Sequence, residues 1–200
     1  KPAMAVAVGH TPMVQRERRF VARIPTFRID GKELRRLIME FDTVLSLRKS
    51  ARSYTGEAVS EKEIHALIHA AEESSVGHHN DKGYALVVVR DPEVLKRIST
   101  EGGERVGKPH MIYEAPLLIL ICRTKDVMET LEGFDAGIIA EHIHLKASDL
   151  GLSSIILFGF IRLLGKDADY LKMLHLPEGV SPILAVAGGY LLVGGGKGEG

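Results

Sequence analysis

The sequence predicts a single domain of the α+β class, and three observations carry that expectation. Ser60 with Glu63 forms a capping box ahead of Ile64, Leu67, Ile68 and Ala71, which share one helical face. Two apolar, β-branched runs, Tyr84 to Val89 and Leu117 to Cys122, read as buried strands. The 200 residues, 45% hydrophobic and 26% charged, suffice for one sizeable core and not comfortably for two.

In chain order, residues 1–38 show no sustained period and are read as an N-terminal extension to a core domain over 39–192. Within them Gln15-Arg16-Glu17-Arg18-Arg19 reads as a solvated arm, and the apolar start from Ala3 to Val8 lacks a full signal-peptide h-region. From Leu37 the positions Ile38, Phe41, Val44, Leu45 and Leu47 recur near helical spacing, which places the basic cluster at Arg48 at a helix end or just beyond it. After the helix opened by Ser60 comes a polar loop, Ser74 to Gly83, and then the first buried strand. Asp91-Pro92 supplies an N-cap and N1 proline for a short helix through Ile98. Asp135 is read as the cap of a helix with Ala136, Ile139, Ala140, Ile143 and Ala147 on its inner face, ended by Gly151. Ser154 to Phe158 and Pro182 to Ala187 complete the strands, with a helical segment around Tyr170 to Leu174 between them. Residues 193–200 form a glycine-rich tail expected to be flexible.

Charge excludes some partners. The 26 basic and 26 acidic residues cancel, so no global field draws the chain to nucleic acid or to an anionic membrane. The longest apolar stretch, Leu150 to Leu164, is broken by Gly151, Ser153, Ser154, Gly159 and Arg162 and is shorter than the roughly 20 residues of a membrane span. Cys122, the one cysteine, lies inside an apolar run, which fits a reducing, cytoplasmic compartment.

Three segments could carry chemistry. Arg48-Lys49-Ser50-Ala51-Arg52 puts three cations and a hydroxyl where they could surround a phosphate; in isolation it reads more readily as a solvated basic turn. The loop Ser74 to Gly83 offers backbone and amide groups for a polar heteroaromatic edge, or is a plain connection of turn residues. Gly151-Leu152-Ser153-Ser154-Ile155-Ile156-Leu157-Phe158-Gly159-Phe160 reads as a strand ending in a glycine-bracketed aromatic turn, and alone is core.

In this order and spacing the segments resemble the FMN-dependent nitroreductase family, from about Phe41 to Tyr190. The family's Arg-Arg-Ser-x-Arg cluster is matched by Arg48 to Arg52 and its Val-x-x-x-x-Ile helix by Val59 and Ile64, while against its Pro-Ser/Thr-Gly-x-Asn-x-Gln-Pro-Trp loop this chain has Val76 to Tyr84. In that loop Asn80 is kept while Lys82, Gly83 and Tyr84 replace glutamine, proline and tryptophan. Glu114-Ala115-Pro116, Asp135-Ala136-Gly137-Ile138, Gly151-Leu152-Ser153-Ser154, Leu176-Pro177-Glu178-Gly179 and Gly189-Tyr190 look like further landmarks. The family's basic segment beyond Gly-Tyr is replaced by the glycine-rich tail, so one phosphate ligand fewer is expected. An N-terminal iron–sulfur module, carried by some relatives, has no cysteines to hold it within residues 1–38.

The resemblance implies a central mixed, mainly antiparallel sheet flanked by helices, in a homodimer with FMN at the subunit interface. It implies Arg48, Lys49, Ser50 and Arg52 at the phosphate and ribityl side, Ser75, Val76, Gly77, Asn80 and Lys82 near the ring, and Leu157, Phe158 and Gly159 covering one ring face together with Phe160. The implied activity is reduction of a small electron acceptor, such as a quinone or nitroaromatic, by NADH or NADPH, with FMN carrying the chemistry and no side chain acting as a nucleophile. Two alternatives stand beside it: a flavin-binding or sensor protein without turnover, and a metal site on His65 and His69, which share a helical face ahead of His78 and His79. The metal reading lacks an HExxH pattern and cysteine partners, and His142 and His144, two apart, do not form a chelate.

Overall fold

The apolar runs lie side by side. In the computed structural model, which describes residues 4–8, 41–105, 107–164 and 172–192, strand β2 (Tyr84–Val89) pairs antiparallel with β3 (Leu117–Arg123), Tyr84 opposite Arg123 and Val89 opposite Leu118. Strand β5 (Ser181–Gly189) lies antiparallel on the other side of β3, and β4 (Ser153–Leu157) pairs antiparallel with β5. At the far edge β1 (Met4–Val8) runs parallel to β2, so the order is β1-β2-β3-β5-β4. The sheet is therefore mixed and mainly antiparallel, as expected. The strand at 4–8 was not foreseen, because five residues on an edge are fixed by backbone pairing and show no side-chain period.

The runs lack polar alternation because both faces of the sheet are covered. Along β3, Leu118, Leu120 and Cys122 enter one core while Leu117, Ile119 and Ile121 enter another. The first is closed by Leu95 and Ile98, from α3 (Pro92–Lys96) and the π-turn after it, and by Phe160 and Ile161 of α6 (Phe158–Leu164). The second is closed by Ile64, Leu67 and Ala71 of α2 (Glu61–Glu72) and by Ala136, Ile139, Ala140, Ile143 and Ala147 of α5 (Glu132–Asp149), whose small residues let it lie close to the sheet. Burial pushes the Cys122 thiol up to about 12, leaving it an inert core residue.

Caps agree with the sequence at three places. Asp91 accepts from the Glu93 and Val94 amides ahead of Pro92. Gly151 sits at φ +75° past the end of α5, where the Leu152 amide donates back to Ala147 at 2.8 Å. At α2, the Ser60 amide donates to Glu63 Oε2 at 2.9 Å and Ser60 Oγ accepts from the Glu63 amide at 3.3 Å. Ser60→Ala should destabilise the fold by about 1 kcal/mol, lowering the melting temperature by roughly 2–4 °C in a chain of this size, as differential scanning fluorimetry would read.

Several boundaries differ from expectation; the helix expected through Ile98 stops as α3 at Lys96 and runs on as a π-turn to Gly102. Helix α5 starts at Glu132 with Leu131 as an unadorned cap, so Asp135 is not a cap but a buried residue inside the first turns. Phe158, read as strand and turn, opens α6, because β4 ends where its ladder with β5 does. Residues 41–47 and 172–173 are helical as expected, while Leu174 lies in a turn; Leu37, Ile38, Tyr170 and the tail 193–200 lie outside the described residues.

Candidate functional site

The basic cluster is a pinned segment, not a free turn. The Arg48 amide donates to Val44 at 2.9 Å, closing helix α1 (41–47). Two residues on, Ser50 forms a bridge with Ser154 of β4, and the Ala51 amide donates to the Ser154 carbonyl at 3.0 Å. Ala51 and Tyr54 are buried, and the Tyr54 hydroxyl donates to the Ala51 carbonyl at 3.2 Å. Side chains of an extended segment alternate, so burying Ala51 turns Ser50 and Arg52 outward; Lys49 is exposed beside them and Arg48 is half-buried. Three cations and a hydroxyl thus project from one fixed stretch of backbone.

Behind the segment lies His144, on α5 and 2% exposed. One ring nitrogen, Nε2, is 3.0 Å from Arg48 Nη1, and the other, Nδ1, is 2.6 Å from Ser154 Oγ. A guanidinium can only donate, so Nε2 must be the acceptor and Nδ1 must carry the proton and donate to Ser154. Arg48 Nε is also 3.9 Å from Glu141 Oε1. Burial, and after it the Arg48 charge, pull the His144 pKa down from 6.5 to about 4. Its sign in stability follows. Between pH 6.5 and 4 the unfolded chain binds this proton and the folded chain does not, so stability present above pH 6.5 is lost as pH falls toward 4. Urea unfolding at pH 7 and at pH 4.5 should show a smaller loss for His144→Gln than for the parent chain, and the imidazole resonances of His144 should titrate near 4.

The second group is the loop ahead of β2. Gly77 donates its amide to Asp135 Oδ1 at 2.9 Å, and the Tyr84 hydroxyl donates to Asp135 Oδ2 at 2.8 Å. A Cβ on Gly77 would come within 2.4 Å of Leu131 Cδ1, the end of a flexible side chain, so a larger residue here would require Leu131 to move aside. His78 and His79 follow in the left-handed region at φ 55° and 54°. The Asn80 side-chain Nδ2 donates to the Asp126 carbonyl at 2.8 Å, and Thr124 Oγ1 donates to the Lys82 carbonyl at 2.6 Å. Ser75 and the Lys82 side chain remain exposed, Val76 half-buried.

The topology sets these two groups apart. Ser153 and Ser154 lie level with Gly189 and Gly188, at the end of the sheet where β2 finishes; Tyr84 starts β2 at the opposite end, with β5 and β3 lying between. Helix α5 spans the gap, with Asp135 and His144 roughly 13–14 Å apart along its axis. In the third predicted segment Leu157 is buried in the core, Phe158 (60% exposed) and Gly159 face solvent, and Phe160 is buried and cannot cover a ligand ring.

Asp135 and His144 were missed as site residues. The signal for His144 was present: it lies four residues after Ala140 and three before Ala147, on the buried face, where an imidazole requires two partners. His65 and His69 are exposed, His142 pairs with the Ala70 carbonyl at 3.0 Å, and among the described residues no three His, Cys, Asp or Glu gather as a metal site. Nor is any helix among them long and apolar enough to cross a membrane.

Known proteins share the family and the fold. Residues 87–190 match the nitroreductase family. The FMN reductase (NAD(P)H) of Bacillus subtilis (strain 168) is 29% identical, over 73% of this chain and 64% of its own length, so the chain spans just under two thirds of that relative. A nitroreductase with bound FMN from Bacteroides fragilis superposes with a TM-score of 0.70 at 20% identity, over 80% of this chain and 93% of that one. Another with bound FMN, from Desulfitobacterium hafniense DCB-2, gives 0.66 at 22% identity, over 76% and 89%. At these identities the structural likeness establishes the fold.

Proposed function

This chain belongs to the nitroreductase family, and from that premise we propose that it binds FMN and uses NADH or NADPH to reduce a small acceptor such as a quinone or nitroaromatic. The observation that carries the reading is the pinned basic segment: Arg48, Lys49, Ser50 and Arg52 put three cations and a hydroxyl, the donors a phosphate monoester takes, on one fixed stretch of backbone. Arg48 and Arg52 bind it by paired N–H groups, Lys49 by point charge and Ser50 by its hydroxyl. Bound FMN would supply the transfer of reducing equivalents. Of the ring-side residues, the Gly77 amide and the Asn80 side-chain amide have donated to Asp135 and Asp126, and the Val76 N–H and carbonyl are bonded to Ser74 and His79, so Ser75, the Asn80 oxygen and Lys82 are the groups left for a flavin edge. Phe158 and Gly159 offer an exposed apolar cover beside the buried Leu157.

The working unit is a homodimer. Its support is the separation of the two groups within one copy, together with exposed Phe134 and Ile138, one turn apart on α5, and Phe41 and Leu45, one turn apart on α1. A second copy would cover these residues and bring its own loop to the basic segment. Charge balance argues against nucleic acid as a partner, and the single buried thiol suits the cytoplasm.

An absorbance spectrum of the purified protein, FMN titration of the stripped protein and gel filtration test these statements together. Oxidised-flavin bands, dimer elution, and NADH or NADPH oxidation dependent on a quinone are the expected results. Flavin bound without turnover would replace the enzyme by a flavin-binding protein, and a folded protein that takes up no FMN would overturn the reading.

A further inference from the structure

We propose that His144 is a positioning residue for the cofactor cradle, holding the Arg48 guanidinium so that its remaining N–H groups face the FMN phosphate. The inference rests on the flavin reading above and concerns how this chain fixes one ligand of that site.

His144 sits where an apolar residue would serve the core, on the face of α5 that also carries Ala140 and Ala147. A buried imidazole there costs desolvation that only hydrogen bonds can offset. Both of its bonds lead to the basic segment. Ser154, which receives Nδ1–H, is the residue whose carbonyl holds the Ala51 amide, and Arg48, which donates to Nε2, is the first cation of the cluster. Ser154, His144 and Arg48 thus tie strand β4, helix α5 and the end of α1 to one another at the cradle.

A neutral imidazole also suits the task. A carboxylate at this place would orient Arg48 and cancel its charge, competing with a phosphate for the same guanidinium. Nε2 of a neutral ring accepts one N–H and leaves the positive charge whole. Glu141 Oε1, partly exposed, already lies 3.9 Å from Arg48 Nε, and an Arg48 not held by His144 would close on it. Arg48, which can only donate, fixes the tautomer with Nε2 as acceptor, and the Ser154 hydroxyl is placed to accept from Nδ1–H.

The test is FMN titration of the stripped protein, followed by quenching of flavin fluorescence, with circular dichroism as the check of folding. His144→Leu removes the acceptor; His144→Asn keeps an amide near Nδ1 only; His144→Gln keeps one near Nε2. The leucine and asparagine variants should bind FMN roughly tenfold more weakly, while the glutamine variant stays within about threefold of the parent, the loss being that of one hydrogen bond to a charged group. Arg48→Ala combined with His144→Leu should bind no more weakly than Arg48→Ala alone, because a residue acting through Arg48 has nothing to orient once Arg48 is gone. Parent-like binding by the leucine variant, or losses that multiply in the double variant, would overturn the proposal and leave the flavin reading intact. If His144→Leu does not fold, the asparagine and glutamine pair decides, equal binding by the two counting against the proposal. A folded parent chain that binds no FMN would instead overturn the flavin reading and this inference with it.

Discussion

Replacing Arg48 and Arg52 together by alanine is expected to weaken FMN binding by roughly two to four orders of magnitude, with Kd from fluorescence titration as the measurement. Each charge-assisted contact to a phosphate is worth about 1.5–3 kcal/mol, and about 1.4 kcal/mol is a factor of ten in affinity. The two arginines flank one fixed point of the backbone, since the Ala51 amide stays bonded to Ser154 whatever side chains surround it. Arg52 is exposed, so Arg52→Ala should leave the melting temperature nearly unchanged, whereas Arg48→Ala strips His144 Nε2 of its donor and should cost about 1 kcal/mol more. Salt gives an independent signature. Parent binding should weaken between low and high ionic strength, and the double variant should show a shallower slope, because fewer charges are there to be screened. Unchanged affinity in both salts would return the segment to the solvated basic turn that its five residues suggest in isolation.

How much of this was legible in the sequence depends on the range of the interaction. The Ser60 box, the Asp91-Pro92 start and the Gly151 stop are set within a few residues of themselves, and each is where the pattern placed it. Strands β2 and β3 were legible because burial on both faces leaves continuous apolar runs. The basic segment was legible as a composition; what was hidden was the bridge to Ser154, a pairing across more than a hundred residues that turns a cluster into a cradle. Asp135 looked like a cap because an acidic residue near a helix start ordinarily is one. Its true partners, Gly77 and Tyr84, are more than fifty residues away, and no local pattern announces them. His144 was considered only with His142, as a pair unable to chelate a metal, and its position on the inner face of α5 was the clue that remained unused. Both are polar residues on an apolar face, a pattern that marks a long-range hydrogen-bond partner.

Asp135→Ala should have the largest effect on stability of any substitution at the site, about 2–4 kcal/mol, because two donors lose their acceptor at once. The Tyr84 hydroxyl is buried, and its pKa is raised first by burial and then by its bond to Asp135, so it holds its proton and donates throughout the accessible range. Without the carboxylate it is left unpaired in the core, beside a Gly77 amide that no longer has its partner. At roughly 2–4 °C per kcal/mol for a chain of this length, the melting temperature should fall by about 4–16 °C. Tyr84→Phe removes one donor together with its demand and should cost only about 1 kcal/mol. The two changes combined should cost less than their sum, since each removes the same bond. The effect on the site should be one-sided. Hydrogen exchange at the Gly77 amide should quicken as the loop from Gly77 to Lys82 loosens, while His144, roughly 13–14 Å further along α5, should still titrate near 4. If the His144 titration moved as well, α5 would be shifting as a body rather than losing one hold, and the loop and the cradle would be coupled through the helix that carries both.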